Sequence, residues 1–335
     1  MKLVSKSPCR VDLAGGTLDI WPLYLYHEGA VTVNFAVSLY TTCQIETRKD
    51  RKIFLGSKDL QAGESFDSLD PLLAARRPRL ALHAWLLKFF RPKAGLRMDT
   101  NSEAPAGAGI SGSSSLMITA GAALNKLCGT RYSIEKLREI VQNIESQIIR
   151  VPTGAQDYYP AMYGGVSAIQ MSPAGVKRSA IGVDLDDLNS RIVLAYTGVP
   201  RNSGINNWEV MKAHINGDRR VQRNFDQIAS IARAMRAALE KSDWTEAGGL
   251  LRAEWEHRRR NIPTISTHRI DRLVQVTRRL GARGAKACGA GCGGCVIFLV
   301  EPDAKRRVSE AIEREGARVL PVEVARQGVS VRVLH

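Results

Sequence analysis

The stretch Pro105-Ala-Gly-Ala-Gly-Ile-Ser-Gly-Ser-Ser-Ser-Leu116 packs three glycines and four serines into twelve residues, and an apolar, small-residue run from Met117 to Leu127 follows it. That run has the character of a buried helix. Gly107, Gly109 and Gly112 carry no side chain, so neighbouring backbone N–H groups can turn toward a ligand. The serine hydroxyls add donors, and the N-terminus of the following helix adds partial positive charge. Together they make an anion cradle suited to phosphate. The bland alternative is a Ser/Gly linker, and the immediate passage into an apolar helix speaks against it. The loop is not a Walker A motif, because no lysine lies between Arg97 and Lys126. Nor is it a dinucleotide fingerprint, because the preceding Asn101-Ser-Glu-Ala-Pro105 is not a strand running into a turn.

Composition bounds the rest. A chain of 335 residues has length for two domains, and 44% hydrophobic residues can bury a sizeable core. No apolar run reaches membrane-spanning length and Met1–Arg10 has no apolar signal core, so a cytoplasmic protein with no membrane partner is expected. Six cysteines in so long a chain suggest reduced thiols rather than a disulfide framework. The net charge of +15 admits nucleic acid, a membrane surface or an anionic substrate. The arginines are dispersed, and no zinc-finger, basic-zipper or aromatic RNA-binding signature accompanies them, so no nucleic-acid partner is expected.

Along the chain, strands are expected at Met1–Val11, Ala30–Thr47, Gly95–Thr100, Val166–Met171, Arg191–Thr197, Cys295–Val300, Val319–Val324 and Val329–Leu334. Helices are expected at Leu80–Phe90, after the glycine-serine loop, at Ser133–Arg150, at about Arg219–Glu240, Asp243–Arg259 and His268–Leu280, and at Pro302–Glu315. Arg48–Asp70 reads as a loop or hairpin, Pro173–Asn189 as the domain junction, Gly198–Asn207 as a polar loop containing Arg201 and Ser203, and Gly281–Gly294 as a second glycine-rich stretch. Helices and strands mix without regular alternation, which favours α+β over a doubly wound sheet.

Three separated glycine-rich stretches, Gly15–Asp19, Gly107–Ser115 and Gly284–Gly294, point to a composite pocket between domains. Glu145 lies at the edge of an apolar helical face, where a bare carboxylate is costly. By position alone, a surface acid paired with Arg138 or Arg150 is the simpler reading. The chemistry that fits the whole set is phosphoryl transfer, in which Mg²⁺ and fixed cations neutralise the γ-phosphate and a carboxylate positions the acceptor hydroxyl. Mg²⁺ takes few protein ligands, and Glu145 with Ser113 would supply them, while Asp157 would orient or deprotonate the hydroxyl.

Motifs in order along nearly the whole chain resemble the GHMP kinases. They are Pro8-Cys-Arg-Val-Asp-Leu-Ala-Gly-Gly-Thr-Leu-Asp19, Pro105–Ser115, Gly154-Ala-Gln-Asp157 with Gly164-Gly165, and Lys286-Ala-Cys-Gly-Ala-Gly-Cys-Gly-Gly294. Departures are Ser111-Gly112 for Gly-Ser, Ile110 for Leu, Tyr158 for a second Gln and Cys292 for Gly. Ala14-Gly-Gly-Thr-Leu-Asp19 and Tyr196–Ser203 are most similar to the D-glycero-D-manno-heptose 7-phosphate kinase branch, although Leu18 interrupts its Gly-Gly-Gly-Thr-Asp. The resemblance implies a two-domain α+β fold, with an N-terminal ATP-binding domain at 1–180 and a ferredoxin-like C-terminal domain at 181–335. It implies ATP around Pro105, Gly107, Ala108, Gly109, Ile110, Ser111, Gly112, Ser113 and Ser114, and Mg²⁺ on Ser113 and Glu145. Asp157 would act at the acceptor hydroxyl with Arg10 beside it, and Asp19, Gly15, Gly16, Gly289 and Gly291 would meet the substrate.

The expected activity is therefore transfer of the ATP γ-phosphate to a hydroxyl, in the first instance anomeric, of a sugar or sugar phosphate such as D-glycero-D-manno-heptose 7-phosphate. Galactose-, fucose- and mevalonate-type acceptors are the alternatives within the family, and a homodimer is admitted. A different class is suggested by Cys288-x-x-x-Cys292-x-x-Cys295, which has the spacing of the iron–sulfur triad of radical enzymes. Its place in a glycine loop leading into an apolar strand favours small buried residues instead.

Overall fold

The computed structural model describes residues 1–200 and 205–334. The chain opens with strands β1 (Lys2–Ala14), β2 (Val31–Thr47), β3 (Ile53–Ser57) and β4 (Ala62–Phe66), then helices α1 (Leu69–Ala74) and α2 (Ala81–Phe90). β5 (Leu96–Ser102) leads through the glycine-serine loop to α3 (Gly112–Cys128), α4 (Ile134–Ile149) and the short α5 (Tyr159–Tyr163). β6 (Val166–Ser172), β7 (Gly175–Ala180) and α6 (Leu185–Arg191) follow. The second half runs β8 (Ile192–Tyr196), α7 (Ile205–Ile215), α8 (Arg219–Glu240), α9 (Trp244–Asn261), α10 (His268–Arg278), β9 (Ala282–Ala287), β10 (Cys295–Val300), α11 (Lys305–Arg314), β11 (Arg318–Leu320) and β12 (Ser330–Leu334).

Two sheets result. The first has eight strands and is built around β2, which pairs antiparallel with β1, β5 and β6. Val31–Val37 of β2 is buried on both faces, whereas beyond it Thr41, Cys43 and Ile45 alternate with less buried neighbours. That alternation is the mark of a sheet with one covered face. The second sheet has the order β11-β8-β10-β9, all antiparallel. With α10 and α11 beside it this is the β-α-β-β-α-β arrangement of ferredoxin-like domains. β12 then returns to pair with β1, so the last strand belongs to the first sheet.

Apolar periodicity explains the layering. Leu137, Val141 and Ile144 of α4 recur at helical spacing and pack with α2 and α3 against the first sheet. Ser133 caps α4, its hydroxyl accepting from the Lys136 N–H at 3.2 Å. A second cluster joins β1, β2 and β6 to β8 and β10 through α8 and α9. A third covers the other face of the second sheet with α10 and α11.

Several expectations change. Arg48–Asp70 takes the hairpin form of the two expected, but as ordered strands: β3 pairs with β4 and also runs parallel to β5. Pro173–Asn189 is not an irregular junction but mostly β7 and α6. Gly281–Gly294 contains β9, whose small residues let α9 approach closely: a Cβ on Gly284 would stand 2.4 Å from the Gly248 carbonyl oxygen. Of the polar loop at 198–207, residues 201–204, with Arg201 and Ser203, lie outside the described residues, and Ile205 already opens α7.

Candidate active site

A cavity of about 500 Å³ lies at the N-terminus of α3. It is lined by the whole loop from Pro105 to Ser114, by Arg10, Asp12, Gly16 and Asp19 at the end of β1, and by Glu145, Asp157, Arg258 and Gly289. Gly107 and Gly109 take positive φ, as the cradle requires. Ser111 does so too, at φ 57°, standing at the cap position of α3 with its Oγ buried and without a hydrogen-bond partner among the described residues. The serine where a glycine is usual in the family pattern thus adopts the left-handed backbone that glycine would take. The C-terminal glycine stretch holds this loop from below. The Cys295 N–H donates to the Ala108 carbonyl at 2.7 Å, and a Cβ on Gly294 would meet the same oxygen at 2.6 Å.

The carboxylates sort into distinct environments. Glu145, on α4, accepts from Ser113 Oγ at 2.6 Å, Ser114 Oγ at 2.9 Å and the Tyr158 hydroxyl at 2.6 Å. Burial pushes its carboxyl above the usual range, and the three hydroxyls only partly offset this. Neither Arg138 nor Arg150 is its partner: Arg138 contacts Glu135, Glu139 and Gln142 instead, and Arg150 caps the C-terminus of α4. Asp157 is partly exposed to the cavity, and its Oδ1 accepts from Arg10 Nε at 2.9 Å and from Arg10 Nη2. Arg10 is buried, and its Nη1 donates to Asp12 at 3.0 Å and to the Gly109 carbonyl at 3.1 Å. Burial would pull the Arg10 guanidinium down, but the charges of Asp157 and Asp12 outweigh it and hold it above its ordinary value. Asp19 is buried, accepting from the Gln156 N–H at 2.9 Å and from Gln156 Nε2 at 3.2 Å. Burial, with the Asp157 charge second, pushes its carboxyl up to about 7. Gly154 has no side chain because Asp19 occupies its place: a Cβ there would lie 2.0 Å from Asp19 Oδ2.

Beneath these groups lies a charge cluster that the motif spacing does not disclose. Lys286, fully buried on β9, donates to Asp12 Oδ2 at 2.6 Å and to Glu254 Oε1 at 2.9 Å. Glu254 Oε2 accepts the Gly15 N–H at 2.9 Å, and Asp12 Oδ1 accepts the Gly289 N–H at 3.0 Å. Burial alone would raise the Asp12 carboxyl, but Lys286, Arg10 and Arg258 hold it far below the carboxylate range. Glu254 and Arg258 share the buried stripe of α9 with Leu251 and Trp255, at helical spacing. That stripe was the available signal. Gly15 and Gly291 do not line the cavity: Gly15 packs on β2 and Gly291 on Ile265. The three cysteines are spread along a turn and strand, with Cys292 Sγ 3.0 Å from the Thr264 carbonyl oxygen. Among the described residues, no three His, Cys, Asp or Glu side chains group so as to hold a metal ion.

Comparison with known proteins agrees with this geometry. Residues 79–165 match the model of the GHMP kinases N terminal domain and residues 235–318 that of the GHMP kinases C terminal domain. The chain belongs to the GHMP kinases. It is a phosphotransferase, and GHMP kinases draw the phosphate from ATP. A D-glycero-alpha-D-manno-heptose 7-phosphate kinase of Campylobacter jejuni is 25% identical over 97% of both chains. A galactokinase of Mycobacterium tuberculosis is 29% identical over 67% of this chain and 69% of its own. The crystal structure of a D-glycero-D-manno-heptose 1-phosphate kinase from Bacteroides thetaiotaomicron superposes with a TM-score of 0.80 at 22% identity, covering 99% of both chains. The two-domain α+β expectation thus stands. No helix among the described residues is long and apolar enough to cross a membrane.

Proposed function

We propose that this GHMP kinase transfers the γ-phosphate of ATP to a hydroxyl, anomeric in the first instance, of a sugar or sugar phosphate of the D-glycero-D-manno-heptose 7-phosphate kind. The observation that carries the reading is the Arg10–Asp157 pair facing the same cavity as the phosphate loop and Asp19. The name of the Campylobacter jejuni relative supports the same acceptor. The chain divides near residue 180, with β12 returned to the first half.

In this reading the loop Pro105–Ser114 and the N-terminus of α3 hold the ATP phosphates by backbone N–H groups. Ser113 and Glu145 offer a hydroxyl and a carboxylate side by side, the hard-oxygen donors that suit Mg²⁺ alongside phosphate oxygens and water. Bound there, Mg²⁺ would neutralise charge on the phosphates. Asp19 and Gly16 face the acceptor. Arg10 fixes the Asp157 carboxylate, which orients the acceptor hydroxyl and takes its proton. The hydroxyl oxygen bonds to the γ-phosphorus, the bond to the bridging oxygen of the β-phosphate breaks, and ADP leaves. The test is ADP formation with Mg²⁺-ATP across free sugars, hexose phosphates, heptose 7-phosphate and mevalonate. Release dependent on one sugar-class acceptor supports the reading. Silence with every sugar, with ATP bound, retires it.

A further inference from the structure

The floor of the acceptor end holds three buried cations, and they are not equally used. Arg10 donates through Nε, Nη1 and Nη2, and Lys286 sits between two carboxylates. Arg258, 4% exposed, spends Nη2 on the Gly289 carbonyl at 2.6 Å. Its Nη1 is buried, stands 3.5 Å from Asp12 Oδ2, and makes no hydrogen bond among the described residues. Asp12 takes its hydrogen bonds from Lys286, Arg10 and the Gly289 N–H, so Arg258 Nη1 acts on it by charge alone and keeps its N–H groups without a hydrogen-bond acceptor among the described residues. The guanidinium lines the cavity together with Gly16, Thr17 and Asn207, and it meets Asp12 at Oδ2 where Arg10 meets it at Oδ1. Gly16 leaves its approach open: a Cβ there would come within 3.1 Å of Nη1.

A buried N–H of a charged group left without an acceptor is costly, and such a group is completed by a ligand oxygen. We propose that Arg258 is the specificity residue for a phosphate ester already carried by the acceptor. The free Nη1–H donates to an oxygen of that ester, at the end of the sugar remote from the hydroxyl held by Asp157. Asp19 supports this placing, because its carboxyl, pushed up to about 7 by burial and by Asp157, adds less negative charge against a bound anion than an ordinary aspartate would. The inference rests on the sugar-kinase reading above and goes further in naming the residue that separates phosphorylated from neutral sugars.

The test is calorimetric binding of D-glycero-D-manno-heptose 7-phosphate and of the unphosphorylated heptose to the full chain, with a non-hydrolysable ATP analogue bound. Wild type is expected to bind the ester roughly 10- to 100-fold more tightly than the free sugar, the worth of one hydrogen bond between charged groups. Arg258→Gln should lose that preference while leaving the affinity for the ATP analogue and for the free heptose near wild type. Arg258→Lys, which keeps a positive charge in the cluster but has one nitrogen where the guanidinium has three, should weaken the ester selectively, and serves if Arg258→Gln does not fold. Equal affinity of wild type for the two sugars, failure to bind either, or an undiminished preference in both variants would overturn the proposal. ADP formation is scored separately. Ester binding that depends on Arg258 without any turnover would uphold this site and sink the kinase assignment of the acceptor. Turnover without discrimination would do the reverse.

Discussion

Lys286 and Asp12 are 274 positions apart in sequence and meet at 2.6 Å in the interior. The pair ties β9 of the second sheet to the end of β1, from which the acceptor end of the cavity is built. Removing one partner leaves the other charge buried, a loss of about 3–5 kcal/mol. Lys286→Met is therefore expected to lower stability by about that much in denaturant unfolding. The double variant with Asp12→Asn should be less destabilised than the sum of the two singles. Strict additivity would show that the contact is not a coupled pair.

Glu145 is reached by three hydroxyls, and the account places Mg²⁺ against it and Ser113. Glu145→Gln keeps the shape and removes the charge. The Mg²⁺ concentration giving half-maximal activity should rise about tenfold or more, the scale of one charged contact. A Mg²⁺ titration of ADP release reads this directly, and an unchanged midpoint would make Glu145 a structural acid.

Asp19 predicts a pH dependence. Its carboxyl is pushed from 3.8 in the unfolded chain to about 7 in the fold, chiefly by burial. A raised carboxyl is stabilising where it is protonated, so its contribution is complete below about pH 4 and is lost as pH rises to about 7. The span corresponds to roughly 4 kcal/mol. Asp19→Asn, neutral at every pH, should melt several degrees above wild type at pH 8, with only about a third of that lead at pH 5. Melting curves that stay parallel between these values would contradict the buried, neutral-prone Asp19.

Ser111 pays a backbone penalty for its left-handed conformation, on the order of 1 kcal/mol. Ser111→Gly should stabilise the fold by about that amount, visible as a rise in melting temperature. A drop would mean that its buried hydroxyl has a role the geometry does not display.

How much of this was legible follows from range. The phosphate loop, Arg10, Asp19 and Asp157 stand in short motifs, whereas Glu145 stands in none and by position alone read as a surface acid, so that only the family resemblance set it in the site; the cavity does bring them all together. The charge cluster of Asp12, Glu254, Arg258 and Lys286 is another matter. Its members lie on β1, α9 and β9, and nothing local tells a buried arginine from a solvated one in a chain of net charge +15. Only the shared stripe of Leu251, Glu254, Trp255 and Arg258 on α9 hinted at burial. β9 escaped notice because Ala282–Ala287 has no β-branched residues, its small side chains serving the contact with α9. Tyr158 was visible as a departure from the family pattern, but its contact with Glu145 required the fold.

The central claim is that Asp157, held by Arg10, activates an acceptor hydroxyl beside the phosphate loop. The measurement that tests it most directly is single-turnover transfer of labelled γ-phosphate from ATP to D-glycero-D-manno-heptose 7-phosphate, by wild type and by Asp157→Asn, with circular dichroism to verify folding. The account predicts labelled sugar bisphosphate from wild type and a rate lower by about 10²-fold or more in the folded variant, with ATP affinity retained. Transfer at the wild-type rate by folded Asp157→Asn would contradict it.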